Sequence, residues 1–174
     1  KLLEIQEKDN VIKPGMTVVD LGCAPGGWSQ VAKNLVGDKG IVLASDILPM
    51  KPIPGVRFIQ GDFTDDSVFE DLITSIKGES ADLVISDMAP NITGIRAIDQ
   101  PASIHLAELA LDFARSTLGE GTYFLVKVFE GEGISEFKKL LSSEFEKVKV
   151  RKPKASRSRS REVYLLAEKF RNLL

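Results

Sequence analysis

Apolar and polar positions alternate along this chain in two rhythms. TVVDL (17–21), IVLASD (41–46), VRFIQGD (56–62), ADLVISD (81–87) and GTYFLVKVF (121–129) are short apolar runs rich in β-branched residues. Such runs suit strands covered on both faces. Helical spacing fills the gaps. GGWSQVAKNLVG (26–37) reads as a helix ending near Gly37. DDSVFEDLITSIK (65–77) places Val68, Leu72, Ile73 and Ile76 at helical intervals, with acids in its first turn. PASIHLAELALDFARSTL (101–118) predicts a long helix with Pro101 at its start, where a missing N–H costs nothing. ISEFKKLLSSEF (134–145) predicts another helix. KVKVRK and EVYLLAE follow as two late strands with no helix between them, which predicts a closing antiparallel hairpin.

Alternating β and α units imply an α/β fold: a mostly parallel sheet with helices on both faces, in one domain over residues 1–174. In such folds ligands gather outside the carboxyl ends of the strands. The residues there are Asp20 to Gly27, Asp46, Asp62, Asp87 and Lys127 onward.

Composition narrows the class. Apolar residues make up 43% and charged residues 28%, an ordinary soluble balance without a membrane-length apolar run. The first residues, KLLEIQEKDN, are amphipathic and charged, unlike a signal peptide. The single Cys23 excludes an internal disulfide, and one His with one Cys argues against a metal site. The net charge of −2 hides an asymmetry: 8 of the 23 Lys and Arg fall in residues 147–161, leaving 15 positive against 25 negative charges elsewhere. That segment is either a solvated basic tail or a localised polyanion site.

After the first strand comes D20-L-G-C-A-P-G-G-W-S. A glycine-rich strand-to-helix turn lets backbone approach a ligand closely. It departs from the dinucleotide pattern G-x-G-x-x-G, because Ala24 replaces the second glycine and Pro25 removes a donor. A ligand with an adenosine but no pyrophosphate, such as S-adenosylmethionine, suits it better. Asp46 stands where a carboxylate can accept from both ribose hydroxyls. Asp62 stands where one can accept from an adenine amino group, with Phe63 near the ring. Each acid alone could equally be a turn residue. Trp28 suits either the core or the ligand.

Lys127 interrupts the apolar run Y123-F-L-V-K-V-F129. Either the strand is ending and the side chain snorkels to water, or a desolvated lysine is tuned to accept a proton. Asp87 ends the neighbouring strand and would orient it, while favouring its charged form. A second cation would oppose that, and sequence pattern leaves it unnamed.

Four stretches, VVDLGCAPGGWSQ, SDMAPN, LVKVFEGEG and RSREVYL, in this order and spacing, resemble the RrmJ/FtsJ family of ribosomal-RNA 2′-O-ribose methyltransferases. The likeness runs from Lys1 to about residue 168. It implies a Rossmann-like, seven-stranded methyltransferase fold with an antiparallel last strand, S-adenosylmethionine as donor and no metal. It implies a catalytic group of Lys1, Asp87, Lys127 and Glu162, and cofactor contacts at Gly26, Trp28, Asp46, Asp62 and Asp87. The implied substrate is large-subunit (23S) ribosomal RNA, at a uridine of the A-loop within the assembled subunit. The implied setting is a monomer in the cytoplasm. The basic loop, through Lys154, Arg157, Arg159 and Arg161, would meet RNA phosphate. The family's basic N-terminal extension would precede Lys1, and the chain begins without Met. Rival readings are a nicotinamide oxidoreductase, a silent RNA-binding module, or an RNA methyltransferase acting on tRNA, an mRNA cap ribose or a base nitrogen. Base-nitrogen enzymes more often carry an Asn/Asp-Pro-Pro-aromatic motif where this chain has D87-M-A-P.

Overall fold

The computed structural model describes residues 1–76 and 80–173. Its elements are α1 (Leu2–Asp9), β1 (Thr17–Leu21), α2 (Gly27–Val36), β2 (Ile41–Asp46), β3 (Val56–Gln60) and α3 (Asp66–Ser75). They continue with β4 (Ala81–Ser86), α4 (Arg96–Thr117), β5 (Leu118–Phe129), α5 (Ile134–Glu144), β6 (Phe145–Arg151) and β7 (Glu162–Phe170). The expected end of the third helix at Lys77 lies outside the described residues.

The strands form one sheet in the order β3-β2-β1-β4-β5-β7-β6. Pairing is parallel from β3 through β5. β7 runs antiparallel to both β5 and β6, so it is the reversed strand of the sheet. The expected late hairpin is present, and its second strand is inserted beside β5. Burial explains that choice. Val163 to Ala167 are apart from water on both faces, whereas β6 carries Lys147, Lys149 and Arg151 and suits a solvated edge.

Each strand sends alternate side chains to opposite faces. Val19, Leu43, Val84, Phe124, Val126 and Leu165 pack under α3, α4 and α5. Val18, Val42, Leu83, Ile85, Leu125 and Tyr164 pack under α1 and α2. These two apolar layers bury the strands on both sides, as their near-continuous apolar sequence requires.

The long helix differs from its sequence expectation. It starts at Arg96, five residues before Pro101, so Pro101 lies inside it. RAIDQ (96–100) lacks a helical apolar stripe because its buried side chains serve polar contacts instead. Asp99 accepts from the Thr93 N–H (2.9 Å), the Thr93 hydroxyl (2.8 Å) and the Gly94 N–H (3.1 Å). Gln100 donates to the carbonyls of Phe129 and Glu132, both at 2.9 Å. This inner first turn holds the helix start despite the bond that Pro101 cannot donate.

A second polar tie fixes α1. Its last residue, Asp9, has a side chain only 3% exposed and accepts from Arg151 at 2.7 and 2.8 Å and from Lys149 at 3.4 Å. Lys149 also donates to Glu168 at 2.6 Å. The Arg151 hydrogen bonds, outweighing burial, hold the Asp9 carboxyl below its ordinary value of 3.8. A carboxyl lowered in the folded state adds stability above its unfolded value, and loses it as pH falls through the folded value. Asp9→Ala should therefore cost about 1–3 kcal/mol at pH 7 in urea unfolding. The difference from wild type should shrink below about pH 4; a difference that does not change with pH would contradict this.

Candidate active site at the carboxyl edge of the sheet

β1 ends in a turn whose glycines are set by geometry. Gly22 has φ of 71°, and a Cβ there would lie 2.3 Å from Cγ of Met88. Gly26 has φ of 114° and caps α2. A Cβ on Gly26 would meet Ile53 Cδ1 at 2.6 Å and Met50 Sδ at 2.9 Å. Asp46 stitches the turn to β2: its carboxylate accepts from the Ala24 N–H at 2.8 Å and the Leu48 N–H at 2.9 Å. Asp62 accepts from the N–H and hydroxyl of Thr64, a local turn.

A pocket of about 410 Å³ opens over these strand ends. Asp46, Asp62 and Asp87 all line it, together with Gly22, Ala24 and Ser45. That volume falls in the usual range for small-molecule sites. Its walls fit a nucleoside: carboxylates able to accept from hydroxyl and amino groups, and a buried Ser45 hydroxyl that has no partner within the protein. Phe63 lines the same pocket while also packing edge-on against Phe113 at 5.9 Å. Gly26 and Trp28 lie outside the lining. Gly26 shapes the turn, and Trp28 packs at a tilt against Tyr164, ring centroids 5.4 Å apart.

Beneath the turn, Asp20 is fully buried and accepts from the Ser29 hydroxyl at 2.7 Å, while its other oxygen has no partner. Burial, aided by the charges of Asp87 and Asp46, pushes its carboxyl up to about 7 against the opposing Ser29 bond. The same burial, with Asp20 and Asp46 nearby, pushes the Cys23 thiol up to about 12, leaving it an inert neutral group.

Beside the pocket stands a cluster of charges. Lys127 follows Leu125 by two residues and so shares its face of the sheet, under α1 and α2. Its side chain is 8% exposed. Its ammonium lies 3.2 Å from Asp87 Oδ1 and 3.7 Å from Glu162 Oε1. The other Glu162 oxygen accepts from Lys1 Nζ at 3.1 Å. The four residues implied by the family resemblance thus meet in one chain of alternating charge. Burial opposes ionisation of Glu162, but the Lys1 hydrogen bond and the charges of Lys127 and Lys1 outweigh it and hold its carboxyl below the usual range.

Topology explains the meeting. β7 is reversed, so its first residue, Glu162, arrives where β4 and β5 end. Ser86 pairs with Val126, which sets Asp87 beside Lys127. α1 brings Lys1 from its N-terminus, anchored by buried Leu2 and Ile5.

Tyr164 completes the cluster and was not among the residues drawn from sequence. It pairs with Lys127 across β5 and β7, and donates to Asp87 at 2.6 Å. Burial and the adjacent Asp87 charge raise its phenol above the ordinary value, so it remains a donor. The alternation E162-x-Y164 on one strand was the available signal.

The basic segment divides. Lys154, Arg157 and Arg159 are exposed on the β6–β7 loop. That loop is pinned by turn bonds from Ser156 to Pro153 and from Ser160 to Arg157, and by the Ala155 N–H donating to Glu4. Arg161, which the family resemblance groups with Lys154, Arg157 and Arg159, is less open to solvent than they are. It is half-buried, lies 5.5 Å over the Phe129 ring and donates to Gln100 Oε1 at 3.1 Å. Among the described residues no three His, Cys, Asp or Glu side chains gather as a metal site, and no helix is long and apolar enough to cross a membrane.

Known proteins resemble this chain in sequence and in fold. The chain is 60% identical over 170 residues to the ribosomal RNA large subunit methyltransferase E of Alkalilimnicola ehrlichii, covering 98% of this chain and 81% of that one. It is 58% identical over 171 residues to the enzyme of the same name from Pseudomonas aeruginosa, covering 98% and 83%. A crystal structure of a Plasmodium falciparum ribosomal RNA methyltransferase superposes with a TM-score of 0.85 at 30% identity, covering 97% of this chain and 94% of that one. A Streptococcus mutans methyltransferase solved with S-adenosylhomocysteine shares the fold, with a TM-score of 0.61 at 15% identity over 98% of each chain. The description FtsJ-like methyltransferase matches residues 1–170, and the chain belongs to that family.

Proposed function

We propose that this chain methylates a ribose 2′-hydroxyl of large-subunit ribosomal RNA, within the assembled subunit and at a uridine of the A-loop. The observation that carries the reading is the nearly buried Lys127, held by Asp87 and Glu162 beside the acid-lined pocket. S-adenosylmethionine, when bound, supplies the methyl group on a positively charged sulfur. Asp46, Asp62 and Asp87 are the residues that would hold it, accepting from its hydroxyl and amino groups. The names of the relatives supply the RNA class.

The chain's own residues then have distinct tasks. Lys127, having first released one ammonium proton to water, steers the ribose hydroxyl through its amine and takes up the hydroxyl proton as the methyl group passes from sulfur to oxygen. Asp87 fixes Lys127, and Tyr164 fixes Asp87. Glu162, shared between Lys127 and Lys1, sets the charge of the group. Holding one hydroxyl in line is itself a large part of the acceleration, and a positioned base typically adds 10²–10⁴-fold.

Two experiments test this. With undermethylated large subunits and labelled donor, wild type should create one alkali-resistant linkage. Lys127→Ala should lower that rate at least about 100-fold while S-adenosylhomocysteine binds within a few-fold of wild type. Activity near wild type would remove Lys127 from the chemistry. Replacing both Arg157 and Arg159 with Ala should reduce the slope of log affinity for RNA against log salt by about 1.5, as two lost phosphate contacts require. An unchanged slope would make the loop a solvated connection.

A further inference from the structure

A second pocket, of about 230 Å³, shares no lining residue with the acid-lined one and has Glu162 in its wall. Its walls are Ile92, Asp99, Phe129, Ser160, Arg161 and Glu162. Glu162 belongs to the charged cluster, so the pocket adjoins the place where Lys127 would hold a hydroxyl.

The pocket is built rather than incidental. The two N–H groups of the buried Gln100 amide are spent on the Phe129 and Glu132 carbonyls, which leaves Oε1 to face a donor. Arg161 provides that donor at 3.1 Å, and its guanidinium is thereby held over the Phe129 ring. Gly131 permits this approach, since a Cβ there would lie 3.0 Å from the Gln100 amide carbon. Another residue of the wall, Asp99, grips the Thr93 and Gly94 N–H groups, fixing the segment that carries Ile92. Ile92 is nevertheless 64% exposed, an apolar side chain kept at the rim.

A guanidinium 5.5 Å over an aromatic ring, in a pocket that also has an apolar side chain in its wall, offers a flat cation against which a heterocycle can stack. Only one donor of the guanidinium is committed to Gln100, so others remain for carbonyl oxygens on the heterocycle's edge. The volume is sufficient for one nucleobase, and the reading of the substrate as a uridine makes that base a pyrimidine. We propose that this pocket holds the pyrimidine base of the nucleotide being methylated, stacked on Arg161. This rests on the reading of the chain as a ribose methyltransferase. It makes Arg161 a base-recognition residue, distinct from the phosphate-facing Arg157 and Arg159.

The test uses wild-type chain, Arg161→Lys and Ile92→Ala on undermethylated large subunits. One batch carries the native base at the mapped nucleotide, and a second carries a purine there. Lysine keeps the charge but loses the plane. Wild type should prefer the native base by at least about 10-fold in kcat/KM, and Arg161→Lys should lose about 5- to 100-fold on that base, the worth of one stacked base. Both variants should shrink the preference, with S-adenosylhomocysteine affinity and salt slope unchanged. A merely structural role would lower both substrates alike and keep their ratio, which overturns the proposal. So would kcat/KM within twofold of wild type for both variants. Wild type that forms no alkali-resistant linkage on either batch would instead overturn the ribose reading itself, and this assignment with it.

Discussion

Lys127 places a positive charge in a strand covered on both faces, and that charge dictates what stands around it. An ammonium 8% exposed cannot be left alone in such a place. Asp87 and Glu162 surround it, and each of these carboxylates has a further partner, Tyr164 and Lys1. Removing Lys127 leaves Asp87 without a countercharge in the cluster, and removing Glu162 leaves Lys1 without one. Such a cluster is a poor device for stability, because the desolvation of buried ions commonly consumes what their attraction returns. Apolar residues would fill the space at less cost. Its presence at the carboxyl edge, beside a pocket, is therefore explained by chemistry.

The reversed β7 makes the cluster possible. In an all-parallel sheet every strand reaches the carboxyl edge at its last residue. Reversal brings a first residue there instead, so Glu162 and Tyr164 enter from the loop side and face Lys127 directly. α1 adds the remaining cation from outside the sheet. Its hold on β6 and β7 through Asp9, Lys149 and Arg151 keeps Lys1 in reach of Glu162. Part of the basic segment thus holds the helix that supplies Lys1 to the charged cluster.

Much of this was legible in the chain. The strand-end acids and Lys127 stood out because each breaks an apolar run at a predictable edge. The reversed strand was legible from the missing helix between two late apolar runs. Lys1 was not: from its own surroundings it reads as a solvated helix residue, and family resemblance alone singled it out. Tyr164 was missed because its importance lies in the β5–β7 register, which no local pattern specifies. Gln100 and Asp99 were missed for a related reason. Their polarity reads as the end of a helix, whereas their side chains turn inward to bind loop backbone.

The basic run illustrates why counting charge is insufficient. Lys149 and Arg151 are committed to Asp9, and Arg161 to Gln100 and Phe129. Lys152 spans the loop's two arms by donating to the Ser160 and Glu162 carbonyls. Four of the eight cations are thus committed to partners within the fold, while Lys147, Lys154, Arg157 and Arg159 stay exposed. A tethered loop loses less freedom when it meets a polyanion than a free tail would. Because its last residues are Arg161 and Glu162, a phosphate held by the exposed arginines is set at a fixed offset from the charged cluster. That offset, more than the attraction itself, is what a positioned reaction on one hydroxyl requires.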